Sequence, residues 1–165
     1  NLRRDYKELS LSQVREIPHI AIRKKDRYGV YGYSTIKHDY DLKERNGDKI
    51  VIDHATGLMW HQSGSMRKIT WYKAEGWVES LNKRGYAGYY DWRFPTLEEA
   101  ASLLESSKKN GYLYTNKVFH TKQSWIWTGD SAGHEAAWIV FFSSGYIYWS
   151  IYHRNNYVRP VRSVK

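Results

Sequence analysis

Apolar positions in this chain recur at two spacings, and the change from one to the other marks where helices give way to strands. Ile50, Val51 and Ile52 form a β-branched run, His54-Ala55-Thr56-Gly57 turns the chain, and Leu58-Met59-Trp60 returns, which predicts a hairpin. Thr70 is placed to cap a helix whose stripe is Trp71, Ala74, Trp77, Val78 and Leu81, ending near Asn82 and Gly85. Pro95-Thr96-Leu97-Glu98-Glu99 carries a capping box, and Leu97, Ala100, Ala101, Leu103 and Leu104 make the apolar face of a second helix. Beyond Lys122 the pattern reads as strands at 125–128, 136–142, 146–151 and 157–161, separated by turn-formers at 129–133, 143–145 and 154–156. The class expected is α+β: two helices packed on mixed or antiparallel sheets.

The first third is less patterned. Ser10 or Ser12 could cap a short helix through Leu11, Val14 and Ile17 that Pro18 ends. Residues 23–32 read as a solvated, Gly-broken connection. The expectation is an arm or linker over residues 1–36 and one ligand-binding domain over 37–165, a size that buries a real core. The chain opens on Asn1 rather than Met, as an excised or processed piece would. Localisation is left open between the cell surface and a cytoplasmic effector-associated setting.

Composition changes this picture in three ways. With no cysteine, disulfides, thiolate metal sites and Cys nucleophiles are excluded. A net charge of +9 favours acidic partners without selecting one. Eight Trp and 15 Tyr exceed what one small core absorbs, so some rings are expected at the surface. No run approaches the length of a membrane span.

Several patterns resemble catalytic or metal sites. Gly129-Asp130-Ser131-Ala132-Gly133 matches the G-x-S-x-G elbow, but a strand-like run follows it where that motif needs a helix, so it reads as a turn. His38-Asp39-Tyr40-Asp41 puts an imidazole near two carboxylates, with too few oxygen ligands for a hard metal. Glu98/Glu99 and Glu75/Glu79 lie on the two helices, where carboxylates ordinarily face water. The expectation is no catalytic residue, no metal and no cofactor.

The stretch from Gly145 to Asn156 differs. Tyr146, Tyr148, Trp149, Ser150, Tyr152, His153 and Arg154 accompany only two aliphatics, the composition of an antibody paratope. Strand alternation sets Tyr146, Tyr148 and Ser150 on one face and Ile147, Trp149 and Ile151 on the other. These seven residues are the candidate ligand-binding set. Stacking on single-stranded nucleic acid is disfavoured, because only Arg154 is basic between Gly145 and Tyr157.

Four ordered motifs carry a resemblance: Asp53-x-x-Thr56-Gly57-Leu58-Met59-Trp60, Gly88-Tyr89-Tyr90-Asp91-Trp92-Arg93-Phe94-Pro95-Thr96, Ala137-Trp138-Ile139-Val140-Phe141-Phe142, and Tyr157-Val158-Arg159-Pro160-Val161-Arg162. Over residues 37–162 the chain resembles the Lcl C-terminal domain family, of the formylglycine-generating-enzyme branch of the C-type lectin fold. Within it the chain is most similar to variable proteins of diversity-generating retroelements. That resemblance implies a C-type-lectin-like scaffold displaying a rewritten surface, usually to a protein partner. Tyr146, Tyr148, Ser150, Tyr152 and His153 are compatible with rewritten asparagine codons, whereas Asn155 and Asn156 look like unaltered template. Trp149 is not reachable that way, so either its template codon differs or the chain is an undiversified relative. Trp60, Asp91, Trp92, Arg93, Trp138, Arg159 and Arg162 would be scaffold, with Asp91 and Arg93 expected as an ion pair under an aromatic. Adhesin-type relatives bind sulfated glycans, which is the alternative partner here. Without cysteines the oxidase chemistry is not carried over; without Glu-Pro-Asn or Gln-Pro-Asp, neither is Ca²⁺-bridged sugar binding.

Overall fold

A computed structural model describes residues 1–164. Its strands form two sheets. One has five strands in the order β1 (Ile20–Lys25), β2 (Val30–Ser34), β8 (Tyr146–Ile151), β7 (Ala136–Phe141) and β6 (Trp125–Ser131). The other runs β3 (Tyr40–Arg45), β4 (Asp48–Asp53), β5 (Leu58–His61) and β9 (Val161–Ser163). Every pairing between these strands is antiparallel. The α+β class therefore holds without a mixed sheet.

The described residues form three α-helices: α1 (Leu11–Val14), α2 (Trp71–Arg84) and α3 (Leu97–Ser102). The caps are those the residues call for. The Thr70 hydroxyl accepts from the Lys73 N–H, and Gly85 ends α2 in the left-handed region at φ 69°. At α3, Thr96 and Glu99 form the reciprocal box, and at α1 Ser10 and Gln13 do the same.

The first 36 residues are not a detached arm. Leu2, Leu9, Val14, Ile17 and Val30 are buried in the main core cluster with Trp60, Leu97, Ile126, Trp138 and Ile147. The stretch read as a solvated connection is instead the β1–β2 hairpin, turned by residues 26–29, where the Asp26 carboxylate accepts from the Tyr28 and Gly29 N–H groups. A strand at one edge of a sheet needs apolar residues on one side only, so β1 offers Ile20 and Ile22 inward and leaves Arg23, Lys24 and Lys25 to solvent. The sequence pattern also left β3 unassigned, although Asn46-Gly47, both at positive φ (54° and 81°), turn it into β4.

Two boundaries moved for covalent and packing reasons. The closing strand is 161–163 rather than 157–161: Pro160 has no N–H to give, and Tyr157 makes only a single parallel bridge to Ile126. The expected turn at Gly129 is instead strand: β6 continues through Ser131, with a register shift between Trp127 and Ser131. The Asp130 carboxylate lies fully buried there and accepts from Arg3 Nη1 and Nη2 and from the Lys7 and Leu97 N–H groups. One carboxylate thus ties the N-terminal segment, the first turn of α3 and β6 together. Glu99 is likewise buried rather than water-facing, holding Arg93 at 2.7 and 2.8 Å.

Candidate binding surface

The central strand β8 carries four of the residues expected to bind, Tyr146, Tyr148, Trp149 and Ser150. Its alternation is decided by the two strands beside it. Ile147 stands opposite Val140 and Val30 and is fully buried. On the same side Trp149 stands opposite Trp138 and packs half-buried against the main core. Tyr146 and Tyr148 lie on the other side, half exposed. Ser150 shares their side but is 5% exposed, its hydroxyl accepting from Asn156 Nδ2 at 3.1 Å. It therefore holds the returning chain and is not available to a ligand.

Register lines up one residue from each strand of this sheet. Trp125 stands opposite Phe141, Phe141 opposite Tyr146, Tyr146 opposite Tyr31, and Tyr31 opposite Lys24. Their rings touch in sequence: Tyr31 and Tyr146 stack at 4.3 Å and 20°, Tyr146 and Phe141 lie 6.1 Å apart at 24°, and Phe141 and Trp125 lie 6.2 Å apart at 36°. Tyr148 adds a parallel ring 5.3 Å from Tyr146, and Tyr28 meets it edge-on at 6.3 Å. A lysine ends the row on each side: Lys24 Nζ sits 5.7 Å from the Tyr31 ring and Lys68 Nζ 5.3 Å from Trp125.

One hydroxyl in the row is anchored. Tyr146 donates to Asp26 at 2.8 and 3.0 Å, and burial together with that carboxylate pushes its phenol well above the ordinary value. The Asp26 carboxyl is pulled below its ordinary 3.8, the Tyr28 N–H bond outweighing desolvation, with the Tyr146 hydroxyl and Gly29 N–H adding to it. The ring is thus fixed in place as well as stacked.

Tyr152, His153 and Arg154 lie in the turn that follows β8 and are not part of this row. Tyr152 stacks on Trp71 at 4.5 Å and meets Tyr72 edge-on at 5.3 Å, tying it to α2, while His153 and Arg154 are exposed. The candidate set therefore divides: Tyr146 and Tyr148 join the row, Trp149 and Ser150 turn to the core and the returning chain, and Tyr152 to Arg154 sit beside α2 and in solvent. Tyr28, Tyr31, Lys24, Phe141 and Trp125 were missed by sequence reasoning. The alternation Val30-Tyr31-Gly32-Tyr33 was a usable strand signal, but nothing local tells β2 to pair with β8.

Of the residues expected as scaffold, Trp60, Trp92, Trp138, Arg159 and Arg162 are buried, Arg93 is part-buried and Asp91 is exposed. Trp60, Trp92 and Trp138 are in the core, Trp138 donating through Nε1 to the Leu9 carbonyl. Asp91 does not pair with Arg93. It accepts from Arg162 Nε at 2.6 Å, and that guanidinium lies 3.9 Å over Tyr89, while Arg93 is held by Glu99. Arg159 is fully buried, donates to the Ser63 and His120 carbonyls and lies 4.9 Å over Phe119; burial pushes its guanidinium down to about 9. His38 meets Asp53 through one ring nitrogen and the Ser102 carbonyl through the other, both at 2.6 Å, so it fastens β4 to the end of α3.

Residues 49–162 match the model of the Lcl C-terminal domain. The chain belongs to the Lcl C-terminal domain family. No curated protein and no solved structure matches it. The family stretch of this Lcl C-terminal domain protein begins in β4 and ends in β9, so α1 and β1 to β3 lie outside it. Trp125, Phe141 and Tyr146 of the row fall within the family stretch, whereas Tyr31 and Lys24, which extend it, do not. Among the described residues no helix is long and apolar enough to cross a membrane.

Proposed function

We propose that this domain is a non-enzymatic recognition module on a C-type-lectin-like scaffold of the formylglycine-generating-enzyme type. Its docking face for a protein partner is the aromatic row with Tyr148, and its C-terminal stretch is diversified as in retroelement variable proteins. The observation that carries this reading is the row of rings on four neighbouring strands, β2, β8, β7 and β6, ended on β1 by Lys24. Within the row each ring neighbours another ring or a lysine, and the Tyr146 hydroxyl is held by Asp26, so ring edges are what a partner meets. A nucleobase needs an open ring face to stack on. Rigid tyrosine edges suit a protein surface, where large contact area is gained with few torsions frozen.

The test has two arms. Sibling copies of the gene in one population are expected to differ at Tyr146, Tyr148, Tyr152 and His153 while sparing Ile147; differences scattered evenly over the chain would count against diversification. Tyr31→Ala, Tyr146→Ala and Tyr148→Ala should each weaken binding of an isolated partner by about 2 kcal/mol or more at hot-spot positions. A large fall in melting temperature with unchanged affinity would show the rings to be structural.

A second reading is favoured by the exposed Arg23, Lys24, Lys25 and Arg27 along the edge strand and its turn, which suit a sulfated glycan or other polyanion. Retention on heparin that falls with salt and with charge removal at these four positions, and ignores the tyrosine changes, would favour it over the first.

A further inference from the structure

A groove of about 550 Å³ runs between α2, the N-terminal segment and the stretch before α3. Trp71, Tyr72, Glu75 and Glu79 line its α2 side, and Tyr6 and Phe94 face them. We propose that this groove binds a single organic cation, an alkylammonium or guanidinium group. The proposal does not depend on the aromatic row being a docking face.

Three observations carry it. The first is charge. On a chain of net +9 the carboxylates facing this groove are Glu75 and Glu79, one turn apart on α2. Glu79 has Lys83 at 3.7 Å on its exposed side. No ion pair to Glu75 is formed among the described residues, and burial together with Glu79 raises its carboxyl above the ordinary 4.5. The one cation in the lining, Arg93, has both terminal nitrogens on Glu99 and contributes a neutral pair.

The second is the wall. Trp71 contacts Tyr152, Tyr72 and Phe94 at 4.5, 5.6 and 5.1 Å. Of the aromatic residues that line the groove, Tyr6 and Tyr72 are about half exposed, and an exposed aromatic ring attracts a cation.

The third is Gly76, in the interior of α2 and on the groove. A glycine there costs the helix roughly 1 kcal/mol relative to alanine. Packing does not require it: a Cβ at this position meets no atom within 4 Å. Gly76 lines the groove next to Glu75, and the space over it is open. Gly129, also in the lining, differs, since a Cβ there would strike the Tyr6 ring at 2.4 Å.

The cation could be a free quaternary amine or a basic side chain of a partner, and the test separates them. The indole and amide NMR signals of Trp71, assigned with Trp71→Phe, are followed at constant ionic strength. The probes are tetramethylammonium, N-acetyl-arginine amide, N-acetyl-lysine amide and the uncharged tert-butanol. Saturable shifts with one or more cations and none with tert-butanol are expected, weakened about tenfold by Glu75→Gln and by Tyr72→Ala. Preference for tetramethylammonium points to a free amine, and preference for an amino-acid amide to a partner side chain. Gly76→Leu should abolish the shifts while the melting temperature stays level or rises, which a purely structural role for this face would not produce. Equal binding of tert-butanol, absence of any saturable shift, or cation binding unaffected by Gly76→Leu would each overturn the proposal.

Discussion

Asp130 is the place where the inclusion of the N-terminal segment in the domain can be tested quantitatively. Its carboxylate is fully buried and accepts four hydrogen bonds: 2.9 and 2.6 Å from Arg3, 2.9 Å from the Lys7 N–H and 2.7 Å from the Leu97 N–H. Asp130→Ala leaves the Lys7 and Leu97 N–H groups without an acceptor, at roughly 1–3 kcal/mol each. It also removes one partner of a largely buried ion pair, for which about 3–5 kcal/mol is usual. The two estimates overlap rather than add, so about 4 kcal/mol is expected. For a domain of this size 1 kcal/mol corresponds to about 2–4 °C, so the melting temperature should fall by about 10 °C or more.

Arg3→Met removes the guanidinium from Asp130 and from Glu98 and should also destabilise. Because the two residues share one interaction, the double variant should lose less than the sum of the singles by about 1 kcal/mol or more. Calorimetric or circular-dichroism melts of the four proteins give the coupling, and trypsin digestion reports whether Arg4 and Lys7 are protected. Single variants melting within about 2 °C of the parent, with no coupling and rapid native-state cleavage at those sites, would refute the reasoning.

Two further outcomes are expected. Burial pushes the His61 imidazole from 6.5 down to about 3, with Arg159 and Arg84 adding to the effect, while its Nδ1 accepts from the Gly64 N–H. The unfolded chain therefore takes up this proton first, so the stabilisation is present above pH 6.5 and is lost as pH falls from there toward 3. Between pH 7 and pH 5 this group should contribute a loss of about 2 kcal/mol in urea unfolding, and His61→Asn should flatten that slope; an unchanged slope would count against a neutral buried imidazole. Gly64→Ala should cost more than about 1 kcal/mol in the same assay, because φ is 88° and the new Cβ would lie 2.4 Å from the Val158 carbonyl oxygen; wild-type stability in the variant would show that this backbone yields.

What the sequence determined by itself was local. Thr70 and Gly85 bound α2, the Thr96–Glu99 box starts α3, and the β4–β5 hairpin follows from its β-branched run and Gly57, because caps and turns are settled by residues a few positions apart. The Tyr-rich stretch and the family motifs were legible for the same reason: they are contiguous. The tertiary structure decided what depends on pairing partners far along the chain. Register with β2 and β7 puts Tyr31 and Phe141 beside Tyr146, and that of β7 with β6 puts Trp125 beside Phe141, which turns isolated rings into a row. A buried hydrogen bond to Asn156 withdraws Ser150 from the surface, although strand alternation alone put it beside the tyrosines. Asp130, 123 residues from Lys7, converts an apparently unpatterned N-terminus into part of the core. Side-chain periodicity says which face a residue takes, but only the neighbouring strand says whether that face meets water or protein.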